Sequence, residues 1–465
     1  MSDRPERTFE GMEPAAVWRH FETLCGIPRA SGHEAAVRER LIAWAEAQGL
    51  DRAVDRAGNL RLRKPASPGR EGFPGIVLQA HLDMVCQASA GLGHDFSVDP
   101  IRPVLRDGWL VAPETTLGAD NGIGVALILA ALADCRLAHG PLEALLTVDE
   151  EAGMGGARGL EPGWLDGRLM INLDTEAWGE FFIGCAGGCD VDVERGGSAE
   201  AAPAGSAFLY VALAGLRGGH SGVDIHEERG NAIKLLVRVL RDLEGVMPLR
   251  LASLAGGSAR NALPREAAAV IAVPAERAGE IPEWLAQWQA DLREELAGVD
   301  AGVTLTCCPV DSGGVISGRE QAIWLASLHA APHGVLRWSR KVPGVVETSN
   351  NLGIVDIGVQ GGRANFMVRS LVERGSATLA GQIASLFELS GTAVRVSGHY
   401  PGWAPDPASP LLALCREVYQ REFGAASAVK VIHAGLECGI IGARYPGMDT
   451  VSFGPTIIGA HAPGE

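Results

Sequence analysis

The stretch Leu145-Leu146-Thr147-Val148-Asp149-Glu150-Glu151 ends an apolar run on three consecutive acids. A short β-rich segment that terminates in carboxylates is how an α/β sheet delivers charge to the mouth of a site. Neighbouring side chains of an extended chain point to opposite faces. Glu150 and Glu151 are therefore expected to do different jobs, one binding a metal and one handling protons. A solvated acidic turn is the plain alternative. Two other apolar runs end in the same way, and they change the balance.

Gly75-Ile76-Val77-Leu78-Gln79-Ala80-His81-Leu82-Asp83 reads as a buried strand closing on His-x-Asp. Residues two apart on a strand share a face, so Asp83 can approach the His81 ring. A carboxylate on the far N–H of an imidazole fixes its tautomer and raises its basicity as a ligand. Arg168-Leu169-Met170-Ile171-Asn172-Leu173-Asp174 is the third such strand. Between them, Thr116-Leu117-Gly118-Ala119-Asp120-Asn121-Gly122 leads into an apolar helix, Ile123–Leu132, and sets Asp120 in a glycine-flanked loop. Taken singly, His81 reads equally as a satisfied core histidine and Asp120 as an N-cap or turn residue. Together His81, Asp120, Glu151 and Asp174 fall just past strand ends or in the loops that follow, where doubly wound sheets form sites.

Working outward, residues 13–50 have helical periodicity broken by a loop at 26–34, with Ser31 or Gly32 as N-cap. Asp55–Arg63 reads as a strand bent at Asn59. From about Gly187 the texture changes to glycine- and alanine-rich sequence, then alternating strands and helices. These include Ala207–Leu213, the amphipathic Asn231–Leu243, Ala267–Val273 and Ile281–Leu296. Faint self-similarity links Ser258–Pro264 and Glu347–Gly353. The α/β texture resumes with Pro410–Phe423, Val429–His433, Leu436–Gly442 and Asp449–Phe453, and then comes His461, the natural second imidazole. The expected fold is α/β: a catalytic α/β/α domain from residues 1–187 and 398–465, with an α+β domain, residues 188–397, inserted into it.

A chain of 465 residues with 47% apolar and 21% charged residues has room for two or three domains of ordinary globular composition. No apolar run approaches the roughly 18 residues that span a bilayer. The start, Met1-Ser2-Asp3-Arg4-Pro5-Glu6-Arg7, lacks an apolar h-region, so no secretory leader is expected. Nine scattered cysteines suggest reduced thiols in a cytoplasm. A net charge of -16 argues against nucleic acid or anionic membrane as partner.

His81, Asp120, Glu151, Asp174 and His461 make a balanced set for two divalent ions. Their four positive charges meet three carboxylates and one hydroxide, and the histidines are neutral. With Asp120 bridging, each ion takes one histidine and one terminal carboxylate, a set that suits zinc, with manganese or cobalt as substitutes. Glu150 is then the base that takes a water proton and passes it to a leaving amine. His433 and Glu437 could also bind metal, but that site is already full, so they read as supporting or structural residues. Cys185, Cys189, Cys307 and Cys308 lack partner pairs for zinc.

This arrangement resembles the co-catalytic zinc dipeptidase/aminoacylase/carboxypeptidase-G superfamily, with a zinc-exopeptidase-like catalytic domain, over essentially the whole chain. Gln79–Val85, Leu117–Gly122, Thr147–Gly156 and Ile432–Gly439 look like its bacterial aminoacyl-histidine (Xaa-His) dipeptidase branch. The resemblance implies unblocked dipeptide substrates such as β-alanyl-histidine and a cytosolic homodimer with a lid domain. It also implies that Asp83 orients His81 and that Glu150 is the general base. It gives His220, in Gly218-Gly219-His220-Ser221-Gly222, the role of stabilising an oxyanion. Arg369 would bind a substrate carboxylate, and Asn261 would be a further lid contact. A short helix is expected after His461, where this sequence ends at Glu465. The competing readings are an N-acyl amino acid amidohydrolase or tripeptidase with the same chemistry, and a metal-binding dimer scaffold without turnover.

Overall fold

The structure, a computed structural model, describes residues 8–465. The chain divides into two compact units. One comprises the residues up to Gly184 with Pro405–Val431 and Leu436–Glu465; the other comprises Cys185–Ala404 with Ile432–Gly435. Sequence texture puts the cuts at 187/188 and 397/398. They move outward because Gly187–Gly196 pairs antiparallel with Ala393–Tyr400, and both are strands of the second unit's sheet.

The first unit is built on an eight-stranded mixed sheet. Its strand order is Asp51–Val54, Leu60–Lys64, Leu142–Thr147, Ile76–His81, Leu169–Asn172, Asp449–Ser452, Glu180–Cys185, Ala428–Ile432. Leu142–Thr147, Ile76–His81, Leu169–Asn172 and Asp449–Ser452 run parallel. Leu142–Thr147 is buried at every position, as a parallel strand covered on both faces should be. Ile76–His81 lies between two strands that follow it in sequence, so the chain winds away in both directions from it. The carboxyl ends of these strands border the crevice where α/β sheets bind ligands. Helices Ala15–Cys25, Ala35–Ala47 and Ala119–Ala133 supply Phe21, Leu24, Leu41, Ile128 and Leu129, which pack with Leu60, Leu62, Leu82 and Leu146 in one core.

Local readings needed three corrections here. Asp55–Arg63 is a turn followed by a strand: Asp55 accepts the Ala57 and Asn59 amides and the Asn59 side chain, closing a tight connection before Leu60. The N-cap of Ala35–Ala47 is Glu34, not Ser31 or Gly32. Glu34 instead accepts the Gly32 and Asp149 amides at 2.9 Å each, and Ser31 gives its hydroxyl to Asp83. The strand carrying the acids ends at Thr147, and Asp149 turns the chain with φ +56°. Glu150 and Glu151 therefore lie in a turn and do not alternate across a strand.

The second unit has a nine-stranded sheet whose long strands Val346–Gly358 and Gly361–Ser370 form a hairpin. Helices Ala232–Val246, Ile281–Glu295, Gly318–Ala330 and Glu373–Glu388 contribute to its core. Ala232–Val246 shows why: Ile233, Leu236, Val237, Leu240 and Leu243 fall on one helical face and are buried, and Asn231 caps it by accepting the Lys234 amide at 3.1 Å. The segments with faint self-similarity meet, since Asn351 donates to the Arg260 and Ala262 carbonyls. Among the described residues no disulfide joins any cysteines, and no helix is long and apolar enough to cross a membrane.

Candidate metal centre and candidate substrate cluster

In the first unit the strand ends bring the expected residues together. His81, the last residue of its strand, points Nε2 at Asp120 Oδ1 (3.0 Å) and Asp174 Oδ1 (3.2 Å). His461 Nε2 lies 3.2 Å from Asp120 Oδ2 and 3.0 Å from Glu151 Oε1. Asp120 thus faces one histidine with each oxygen. Two overlapping groups, His81–Asp120–Asp174 and Asp120–Glu151–His461, each offer three donor atoms within 4.8 Å of one another. A third group adds Glu150 to His81 and Glu151. Asp120 does not spend its carboxylate on a cap: the N-cap position of this helix is Gly118, and both Asp120 oxygens face histidines. The Asp120–Asn121 peptide is cis. Asn121, buried beside it, donates to the Leu173 carbonyl and to the Asp174 carboxylate.

The donor set fits divalent cations. Burial disfavours a charged His81, yet Asp174, Asp120 and Asp83 outweigh it and raise its basicity well above the ordinary value. Hydrogen bonds to Asp120 and Glu151 raise His461 to about 10 against some desolvation. Carboxylates that raise the basicity of both imidazoles mark a site short of positive charge, which bound cations would supply. Glu151 Oε1 is buried and faces only the His461 ring among the contacts described here, a position that a cation would also satisfy.

Asp83 does more than its spacing suggests. Its Oδ1 stands 3.3 Å from His81 Nδ1, as expected of an orienting carboxylate. The same oxygen accepts the Glu150 amide (3.0 Å), and Oδ2 accepts the Glu151 amide (3.1 Å) and the Ser31 hydroxyl (2.7 Å). Burial opposes its charge, but the His81 imidazole first and then these hydrogen bonds prevail and hold its pKa at about 2. One buried anion therefore sets the imidazole and the turn that carries both glutamates. Behind it, Glu437 is fully buried, accepting from Gln79 Nε2 and Thr147 Oγ1 at 2.6 Å each. Desolvation raises its pKa to about 7.

His220, Arg369 and Asn261 belong to the second unit. Gly222 and Val223 donate their amides to His220 Nδ1 (3.2 and 3.0 Å). Nδ1 is therefore the acceptor, and Nε2 carries the proton. Burial and the Arg369 charge lower the ring's pKa to about 4, so it is a neutral Nε2–H donor near neutrality. Arg369 is buried, donates Nη1 to the Tyr400 hydroxyl (2.9 Å) and has no partner for Nε. A Cβ at Gly222 would meet the His433 carbonyl at 2.2 Å and Arg369 Nε at 3.2 Å, so only glycine allows this approach. His433 shares a 2.8 Å hydrogen bond with Ser349. Asn261 is exposed, and its carbonyl accepts the Ser221 amide at 2.8 Å, tying it to the His220 loop. Tyr400 and Ser349 escaped sequence reading because a lone tyrosine or serine carries no local signal.

Burial, with the Arg369 cation, lowers His433 to about 3. The unfolded chain takes up this proton near pH 6.5. Its stabilising contribution is therefore full above pH 6.5 and is lost as pH falls toward 3. Urea unfolding at pH 7 and 4.5 should show His433→Gln losing about 2 kcal/mol less than the parent. Equal losses would remove His433 from the acid response.

The sequence pattern of Peptidase family M20/M25/M40 matches residues 77–465. The chain is 44% identical over 456 residues to the cytosol non-specific dipeptidase of Escherichia coli (strain K12), covering 98% of this chain and 94% of that one. It is similar to the crystal structure of aminoacylhistidine dipeptidase from Vibrio alginolyticus, with a TM-score of 0.91 at 44% identity over 98% of this chain and 93% of that one. The aminopeptidase PepT structure from Bacillus cereus shares the fold, with a TM-score of 0.56 at 16% identity over 97% and 92% of the two chains.

Proposed function

The chain belongs to peptidase family M20/M25/M40, and from that premise we propose that it is a dinuclear metal-dependent dipeptidase that cleaves unblocked dipeptides, Xaa-His among them. The observation that carries this reading is Asp120, whose two oxygens each face a different histidine while Asp174 and Glu151 flank them. His81, Asp120 and Asp174 would hold one ion, and His461, Asp120 and Glu151 the other. Histidine and carboxylate donors suit zinc, with manganese or cobalt as substitutes. Bound there, such ions acidify water and polarise a carbonyl.

The chain's own residues supply the rest. Glu150 takes the proton from the attacking water and returns it to the leaving amine. Asp83 keeps His81 in register and holds the Glu150 turn by its amide. His220 gives its Nε2–H to the oxygen on which charge develops. Arg369, with a guanidinium edge unpartnered and Tyr400 fixing the other, receives the substrate carboxylate. Asn261 is a further contact on the His220 loop. The cytosolic relative and the cysteine pattern support a cytoplasmic enzyme, and we extend the reading to a homodimer.

A panel of β-alanyl-histidine, other free dipeptides, their N-acylated forms and tripeptides, offered to metal-loaded protein, tests the substrate class. Cleavage of free dipeptides with acylated ones untouched is the expected result. Turnover of acylated substrates alone would make the protein an amidohydrolase, and turnover of tripeptides alone a tripeptidase.

A further inference from the structure

We infer that Arg29 and Glu465 are positioning residues that clamp the Gly118–Ala119 peptide from opposite sides and thereby fix Asp120. The Gly118 carbonyl accepts from Arg29 Nη2, while the Ala119 amide of the same peptide unit donates to Glu465 Oε1 at 2.9 Å. Oε2 of Glu465 accepts the Leu117 and Gly118 amides at 3.0 and 3.2 Å. Arg29 Nη1 donates to the Leu82 and Asp83 carbonyls at 3.0 Å each. One buried cation thus joins the loop after His81 to the loop before Asp120, and one buried anion collects three successive amides of that second loop. The two charges make no direct pair; the peptide between them is polarised by both.

The backbone of the same residue ties in His461. The Ala112 amide donates to the Glu465 carbonyl (3.0 Å), and the Gly464 amide donates to the Ala112 and Thr115 carbonyls, so the segment that follows His461 is fastened to the Asp120 loop. Asp120 and His461 face each other and must hold station together. Space confirms how closely the loop is fitted: a Cβ at Gly118, where φ is +69°, would meet Arg29 Nη2 at 2.5 Å and Met84 Sδ at 2.7 Å. Three amides on one carboxylate fix the backbone that leads into Asp120, whose two oxygens face the two imidazoles.

The clamp's catalytic consequence rests on the dinuclear reading. The test uses the full chain with Glu465→Gln, which keeps the side chain's shape, removes its charge and turns an N–H₂ toward amide donors. Amide hydrogen exchange of the chelated protein should show Leu117, Gly118 and Ala119 opening at least about tenfold faster. Zinc titration of the same sample should show affinity weakened about 10–100-fold, the range found when a partner behind a ligand is lost. With saturating metal, kcat should fall while KM stays within about twofold, because the substrate contacts are elsewhere. If the Gln variant does not fold, Glu465→Asp, which keeps the charge and withdraws it by one methylene, is read in the same way. Unchanged exchange at the three amides together with parental zinc affinity in either folded variant would overturn the clamp. Failure of the parent to bind zinc would overturn the dinuclear reading instead, and the exchange measurement would still judge the clamp.

Discussion

Glu150→Ala is expected to keep its metal and lose at least about a hundredfold in turnover, the lower end of what a positioned acid/base residue supplies. Glu150 has a donor-capable oxygen within 4.8 Å of those of His81 and Glu151, yet it is outside both groups built on Asp120. Desolvation pushes its carboxyl well above the ordinary range; His81 opposes this, and Asp174, Glu437 and Glu151 reinforce it. A carboxylate so placed is a stronger base than one in water, which suits proton transfer near neutrality. Its backbone is held by the Asp83 carboxylate, so removing the side chain leaves the turn in place. Metal content by elemental analysis and kcat on a free dipeptide check both halves. A metal-loaded variant with parental turnover would take the role from Glu150.

Asp120→Ala should have the largest effect on metal. Its oxygens face His81 and His461 at 3.0 and 3.2 Å, so its loss removes a donor from both groups at once. It also leaves Asp174 and Glu151 without the group that joins their surroundings. Loss of a partner one step behind a ligand costs about 10–100-fold in affinity, and loss of a shared ligand should exceed that for both ions. Zinc titration of the chelated variant should find no ion retained at concentrations that saturate the parent. Two ions bound with parental affinity would refute the bridging assignment.

Much of this candidate site is legible in the sequence, because its donors close strands or sit in glycine-marked loops. His81, Glu151 and Asp174 each follow a short apolar run, and a parallel sheet necessarily gathers such ends on one edge. Asp120 was marked by its glycines, and His461 by the return of α/β texture after a long insert. What failed was local geometry. Glu150 and Glu151 seemed to alternate across a strand, but the left-handed Asp149 ends the strand first, and Asp83 then holds both amides. Ser31 reads as a helix cap but donates its hydroxyl to Asp83. The residues behind the site left no local trace. Glu465 and Arg29 act on Gly118 from sequence separations of 347 and 89 residues, and Gln79 meets Glu437 across 358. Such partners are chosen by tertiary packing, and no spacing rule encodes them.

Dipeptide hydrolysis by this chain is expected to depend on two ions shared through Asp120. The most direct test is to strip the protein with a chelator, add zinc back in measured steps, and follow hydrolysis of β-alanyl-histidine and a second free dipeptide beside bound metal. Activity that vanishes on chelation and is fully restored as binding reaches two ions per chain is the predicted result. Undiminished hydrolysis in metal-free protein, or two ions bound with no hydrolysis of any free dipeptide, would contradict it.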